Sequence, residues 1–311
     1  MKNKLIAFIS LLFVSSILGC SLSIVQKTLN VVQPFTFNAL RFIVAAITLY
    51  AVQTFLNRKT EKKYVTRPGY IYPGIIIGVF LFLGYVFQTF GLQYTTVSNS
   101  GFITSLSVVI VPLLLLFKYN KKTTIHESIS AVIALFGILL LTLTNNSVFN
   151  FGDFLTFFSA IAFALHIIYS NKFSPIYNPL RLTTVQVSVV GLASWTFALI
   201  SEDWKVVFKQ ELWTNKFFIF SILFSAILST ALAFFIQMFA QRTISATEVG
   251  IILATEPVFA AISGYYFGGE RLSKIDIIGC LFILLSIILA QIKIKKGKHH
   301  HHKEEKTIHK M

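Results

Sequence analysis

GLQYTTVSNSGFITSL, residues 91–106, is answered later in the chain by AQRTISATEVGIILATEPVFAAISG, residues 240–264. At an offset of 149 Gly101 falls on Gly250, and working outward Gln88 falls on Gln237 and Gly84 on Ala233. The same offset carries Thr124 onto Ser273 and Glu127 onto Asp276 without a gap. Toward the N-terminus the register becomes 145, with Gly19 on Ala164, Lys27 on Lys172 and Pro34 on Pro179. The change of register falls in the 201–216 connection, where an insertion costs little. Lys, Pro, Gln and Gly therefore punctuate the chain twice in one order, the mark of a duplicated unit.

Each unit is made of apolar runs. Of 311 residues 55% are hydrophobic and 13% charged, with 32 Phe and a mean hydropathy of +0.73. A soluble domain carries roughly 25% charged residues, so this chain has too little polar surface to coat a globule in water. About 20 apolar residues cross a bilayer as a helix. Runs of that kind lie at 5–26, 34–55, 71–92, 98–117, 126–144, 153–171, 181–200, 217–240, 246–267 and 275–293. The expected fold is an all-α integral membrane protein of ten transmembrane helices. It divides into a first repeat over 1–145, a second over 146–294 and a basic, His-rich tail over 295–311. Five spans are an odd number, so the second repeat enters the membrane from the opposite side. Two inverted five-helix repeats are a recurring device of secondary transporters, with the site near mid-membrane between them.

Orientation follows from the cations. Twenty of the 27 Lys and Arg fall in alternate segments beginning with the N-terminus, six fall in the other set, and Arg41 lies inside span 2. Positive segments stay inside, which places both termini in the cytoplasm and the protein in the cell membrane. The net charge of +15 is thereby assigned to loops and anionic lipid headgroups rather than to nucleic acid. The opening MKNKLIAFISLLFVSSILGC looks like a lipoprotein leader, but Leu18 is bulky for the position before Gly19-Cys20, and the repeat needs this segment as its first helix. Cys20 and Cys280 have no partner spacing for a disulfide framework or a metal site, and no cofactor motif is present. His299–His302 with Lys303 read as a disordered basic tail.

The residues that punctuate the repeats also carry a resemblance. Pro34 with Arg41-Phe42, the 91–106 stretch, the 240–264 stretch and the turn Gly269-Glu270-Arg271-Leu272 resemble the drug/metabolite transporter superfamily, specifically its ten-helix EamA-type carriers. The resemblance covers essentially the whole chain. It implies a secondary transporter of small metabolites, amino acids or related compounds, acting as an exporter by alternating access. It also implies a central cavity lined mainly by spans 1, 3, 4, 6, 8 and 9, with 5 and 10 peripheral. Where the family's first span carries Trp-Gly, this chain has Leu18-Gly19. The alternatives are a membrane sensor or structural protein, disfavoured by the lack of a soluble output domain, and a membrane-embedded enzyme. No HExxH, no Gly-x-Ser-x-Gly and no paired intramembrane carboxylates support the enzyme.

Polar groups within apolar spans are expensive and mark candidate functional positions. Arg41, about seven residues into span 2, either holds an anionic substrate group or pairs with an acid and braces the bundle; the structural charge is the favoured reading, because span 2 is not expected to line the cavity. Gln88 and Gln237 are repeat mates, each four residues after a small residue and so on the same helical face as it. Tyr85 beside Gln88, Ser105 on the small-residue stripe with Gly101, and His166 with Tyr169 three residues on complete the candidate substrate pathway with Glu256. Each also has a plain packing reading: helix–helix hydrogen bonds for the two Gln, a neutral imidazole in the bundle for His166, close helix contact for Ser105. Glu256, in Thr255-Glu256-Pro257, sits near mid-membrane, where a carboxylate must be protonated or paired. Its repeat mate is Ser107, so any site there is asymmetric. Pro257 leaves the carbonyl of Leu253 without its usual donor. Bracing that break and coupling protons to substrate movement are the two roles for Glu256. Small-molecule substrate and membrane lipid are the expected partners, and monomer and homodimer both fit.

Overall fold

The structure is a computed structural model that describes residues 2–60, 68–120, 124–143, 150–268 and 273–291. The Gly269–Leu272 turn, the loop cations between 61 and 67 and the tail from 292 onward lie outside them. The first repeat consists of α1 (Lys2–Thr28), α2 (Pro34–Thr60), α3 (Ile71–Gly91), α4 (Val97–Ser105), α5 (Ser107–Tyr119) and α6 (Ile125–Leu143). The second consists of α7 (Phe151–Phe173), α8 (Pro179–Ser201), α9 (Gln210–Thr214), α10 (Lys216–Leu223), a π-helical stretch Phe224–Leu232, α11 (Ala233–Ala240), α12 (Ala246–Leu253), α13 (Glu256–Gly268) and α14 (Lys274–Gln291). Among the described residues these make ten membrane-crossing elements and no strand. Eight stretches are long and apolar enough to cross on their own, and α6 contributes a shorter apolar core over residues 125–140. Helices satisfy every backbone group internally, as hydrocarbon requires.

Helix starts follow local chemistry. Pro34 and Pro179, the repeat mates, open α2 and α8, a position where the missing N–H costs nothing. Thr96 accepts from Asn99 N, and its mate Ser245 accepts from Glu248 N. Glu248 closes a capping box at α12, Asp153 another at α7, and Thr124 with Glu127 a third at α6.

The inverted relation of the repeats is visible in which helices touch. Helix α2 packs on its mate α8, and α6 on its mate α14. Helix α3 packs on α7, and their mates α11 and α1 pack on each other. Helix α12 packs on α5, and their mates α4 and α13 do likewise. A pair and its image occurring together in this way is what a pseudo-twofold axis in the membrane plane produces. Several crossings are close enough to exclude a side chain, two of them against carbonyl oxygens of α14 and α13. A Cβ on Gly137 of α6 would stand 2.7 Å from the Gly279 carbonyl oxygen, and one on Gly19 of α1 would stand 2.5 Å from that of Glu256.

Three spans depart from the continuous helices expected of them. The fourth breaks between α4 and α5 at Leu106, and the ninth between α12 and α13 at Ala254-Thr255, positions that are repeat mates. At both breaks the N–H bonds shift to i−3 carbonyls: Leu106 N to Ile103 O, and Thr255 N to Ile252 O. Pro257 sits just past the second break, and Pro112 one turn into α5. The Leu253 carbonyl is served from outside its own helix, by the Ser15 hydroxyl at 3.4 Å. Ser15 also hydrogen-bonds Thr255 Oγ1 at 2.8 Å, so α1 splints the break. The eighth span widens into π-helix over Phe224–Leu232, which turns polar backbone and hydroxyl groups toward a neighbour.

Candidate functional site

The two breaks, helix α11 and parts of α1, α2, α3 and α7 meet around one cavity of about 60 Å³, room for about four waters. Arg41, Tyr85, Gln88, Ser105, His166, Gln237 and Glu256 all line it, together with Leu18, Thr104, Ser107, Phe163 and Phe234. Six of the seven candidate pathway residues, scattered over 171 positions of sequence, thus reach one place.

Arg41 belongs to this cavity, contrary to the expectation that span 2 stands away from it. The cause is the π-helical stretch. There Thr230 Oγ1 donates to Ser225 O, five residues back, and presents its lone pair to Arg41 Nε at 2.7 Å. Arg41 Nη2 donates to Ser229 Oγ at 3.0 Å and to the Tyr85 hydroxyl at 3.3 Å. The guanidinium also lies over the Tyr85 ring, 4.7 Å from its centroid. Arg41 is 2% exposed, and no carboxylate lies within ion-pair distance of it among the described residues. A buried cation is tolerable only when its donors are answered. Nε and Nη2 are answered by neutral oxygens, while Nη1 makes no hydrogen bond among the described residues and is left to the cavity.

Glu256 is the first residue of α13. Pro257 and the break at Thr255 free this turn from helical continuity. Gly19 lets α1 lie against the Glu256 peptide, so the backbone beneath the side chain is held between α1 and the Ser15–Thr255 splint. The carboxylate opens on the cavity and has no hydrogen-bond or ion-pair partner among the described residues. The site therefore presents a guanidinium nitrogen and a carboxylate to one cavity without joining them.

The remaining groups shape the walls. Gln88 Nε2 donates to Thr104 Oγ1 at 3.2 Å, and Ser105 Oγ donates to Gly101 O at 2.8 Å. His166 Nε2 donates to Gln186 Oε1 at 2.9 Å and meets the Phe234 ring edge-on at 5.6 Å, so it is held from behind. The side-chain amide of Gln237 makes no hydrogen bond among the described residues and is 3% exposed. Tyr85 packs edge-on to Phe163 and Phe234 at 5.4 and 6.0 Å, giving an aromatic wall. Tyr169 is not part of it. One turn from His166 the helix faces α3 instead, and Tyr169 stacks on Phe80 at 5.1 Å.

Sequence reasoning missed Thr230, Ser229, Ser15, Phe163 and Phe234. The Ser-Thr pair at 229–230 inside an apolar run was the available signal for the first two. Ser15 and the two Phe carried none, since Ser and Phe abound in every span. Among the described residues no three His, Cys, Asp or Glu converge as metal ligands.

Comparison with known proteins places this architecture. The model of the EamA-like transporter family matches the chain twice, over residues 5–143 and 150–291. An uncharacterized transporter of Archaeoglobus fulgidus is 30% identical over 94% of this chain and 88% of its own length. The uncharacterized transporter YetK of Bacillus subtilis is 25% identical over 99% of this chain and 93% of its own. One crystal structure superposes with a TM-score of 0.72 at 16% identity, covering 93% of this chain and 98% of that one, a likeness of fold.

Proposed function

Since the chain belongs to the EamA-like transporter family, we propose that it is a secondary carrier of small zwitterionic metabolites, amino acids or related compounds, exporting them by alternating access. Both termini lie in the cytoplasm on this reading, as the 20-to-6 distribution of Lys and Arg supports. The observation that carries it is the pair of unjoined charges on one buried cavity. Arg41 Nη1 offers a donor to an anionic group, and Glu256 offers an acceptor to an ammonium group beside the Tyr85, Phe163 and Phe234 rings. A zwitterion neutralises both ends at once, which an ion of one sign does not, and in a low-dielectric site that difference amounts to several kcal/mol. Gln88 and Gln237, repeat mates that both line the cavity, offer amides to the same ligand in either orientation of the repeats.

Glu256 must be neutralised whenever the cavity is closed, by a proton or by the substrate's ammonium group. The two occupants exclude each other there, so substrate entry displaces a proton and substrate release readmits one. This gives proton-driven export without a second acid, and it fits a site whose repeat mate is the uncharged Ser107. The test is counterflow by purified protein in sealed vesicles, with neutral amino acids set against carboxylates and amines of matched size. Saturable exchange of the zwitterions alone is expected. Exchange of the single-charge analogues at equal rates would overturn the proposal, and no exchange of any solute would favour a sensor or structural protein.

A further inference from the structure

Two side-chain amides at opposite ends of the cavity do the same thing. Gln26, near the C-terminal end of α1, donates from Nε2 to the Leu92 and Thr95 carbonyls at 3.4 and 3.1 Å. Asn171, near the C-terminal end of α7, donates from Nδ2 to the Gln241 and Ile244 carbonyls at 3.0 and 2.8 Å. Asn171 is the mate of Gln26 at offset 145, and Gln241 and Ile244 are the mates of Leu92 and Thr95 at offset 149. One hydrogen-bonding device is therefore built twice, once per repeat, on opposite faces of the membrane. Each joins helix α1 or α7 to the turn where α3 or α11 ends and a broken span begins. The Leu92 and Gln241 carbonyls are among those a helix terminus leaves unpaired, the Thr95 and Ile244 carbonyls belong to the following turn, and an amide with two N–H groups is the simplest side chain to satisfy both.

The two copies are not in the same state. On the face that carries the N-terminus both bonds are short, and Gln241 Nε2 donates back to Ile167 O. Lys4 pairs with Glu248 at 3.4 Å, and Ser245 Oγ donates to Glu127 at 2.6 Å beside it. On the other face the bonds are longer, and Leu92, the mate of Gln241, has no group with which to donate back. That face opens into a polar recess of about 710 Å³, whose wall includes Gln26, Leu92, Thr95 and Asn99.

We propose that Gln26 and Asn171 are the latches of the two gates, that this conformer faces outward with Asn171 fastened and Gln26 held more loosely, and that the transport cycle exchanges those states. The latches rest on the alternating-access reading above, and they are positioning residues, since neither lines the cavity. The side chains explain the resting bias. Asn is one methylene shorter than Gln and loses less rotamer freedom on fastening, so the cytoplasmic latch holds more firmly than the outer one.

The test uses the full chain with Cys20 and Cys280 replaced by Ser and a single reporter thiol, Thr104→Cys, in the cavity wall. An impermeant maleimide is applied from each face of oriented vesicles, and the ratio of the two labelling rates is the readout. Asn171→Ala removes two hydrogen bonds from the cytoplasmic latch and is expected to move the ratio about tenfold toward cytoplasmic access. Gln26→Ala is expected to move it the other way, toward outward access, because the state with the outer gate closed loses more support than the state with it open, and exchange slows. The exchanged pair Gln26→Asn with Asn171→Gln keeps every donor and guards against simple misfolding; its ratio should shift toward cytoplasmic access as well. If both Asn171→Ala and the exchanged pair label with the parent ratio, the latches are refuted even though substrate still alternates access in the parent. If the parent thiol is never reached from the cytoplasmic face under any substrate condition, alternating access fails, and the latches fail with it.

Discussion

Gly19→Ala sets two physical effects against each other within a single methyl group. Glycine inside a helix costs roughly 1 kcal/mol relative to alanine, so on propensity alone the substitution stabilises the protein. The structure argues the reverse. The new Cβ would stand 2.5 Å from the Glu256 carbonyl oxygen, 2.9 Å from the Ala260 nitrogen and 2.9 Å from Phe259 Cβ. All three atoms are backbone or rigidly tied to it, so no side chain can swing away and α1 must part from α13. Overpacking of this kind costs about 1–3 kcal/mol. With three such contacts the upper end applies, leaving a net loss of about 2 kcal/mol and a fall in Tm of about 4 °C. Gly101→Ala is the internal control. Its Cβ would meet only the tip of Leu22, at 3.5 Å, an ordinary contact with a mobile atom, so the propensity gain should survive. Thermal unfolding of both variants and the parent in one detergent, followed by tryptophan fluorescence, compares them directly. Should Gly19→Ala raise Tm as Gly101→Ala does, the close approach of α1 to the Glu256 peptide is wrong, and with it the account of how that side chain is placed.

Glu256→Gln keeps the shape and removes titration, so uphill transport on a pH gradient should be lost while downhill counterflow survives at a reduced rate; wild-type accumulation by this variant would exclude Glu256 as the coupling group. Arg41→Lys retains the charge, but an ammonium cannot reach Thr230, Ser229 and Tyr85 together while still facing the cavity. KM for the zwitterion should rise about tenfold or more, and an unchanged KM would return Arg41 to a purely structural role. Ser15→Ala takes the splint from the Leu253 carbonyl and Thr255, for an expected loss of about 1 kcal/mol in thermal stability; no change would mean the break holds itself. Reporter fusions after Lys63 and Lys296 should read cytoplasmic and one after Asn146 external. An external reading at Lys296 contradicts the span count.

The number of spans, their inverted duplication and the starts of several helices were legible in the chain as written. Apolar run length is a one-dimensional property matched to bilayer thickness, and Pro34 and Pro179 act on the backbone of their own first helical turn. The candidate site was legible residue by residue, because a polar group in an apolar span stands out wherever it is, and that is how Arg41, Gln88, His166, Gln237 and Glu256 were found. Which of them would meet was decided only by packing. In a soluble helix the polar face shows which side is buried, but in a membrane the lipid-facing and core-facing sides are both apolar. Hydropathy therefore could not turn Tyr169 toward Phe80 and away from the cavity, nor bring Arg41 into it. The paired breaks at Leu106 and Thr255 and the π-helical seat of Arg41 depend on hydroxyls and carbonyls from distant helices. Gln26 and Asn171 were repeat mates in the sequence from the start, but as ordinary polar residues near helix ends. They became a matched pair of latches only once the fold had set the same two carbonyls opposite each.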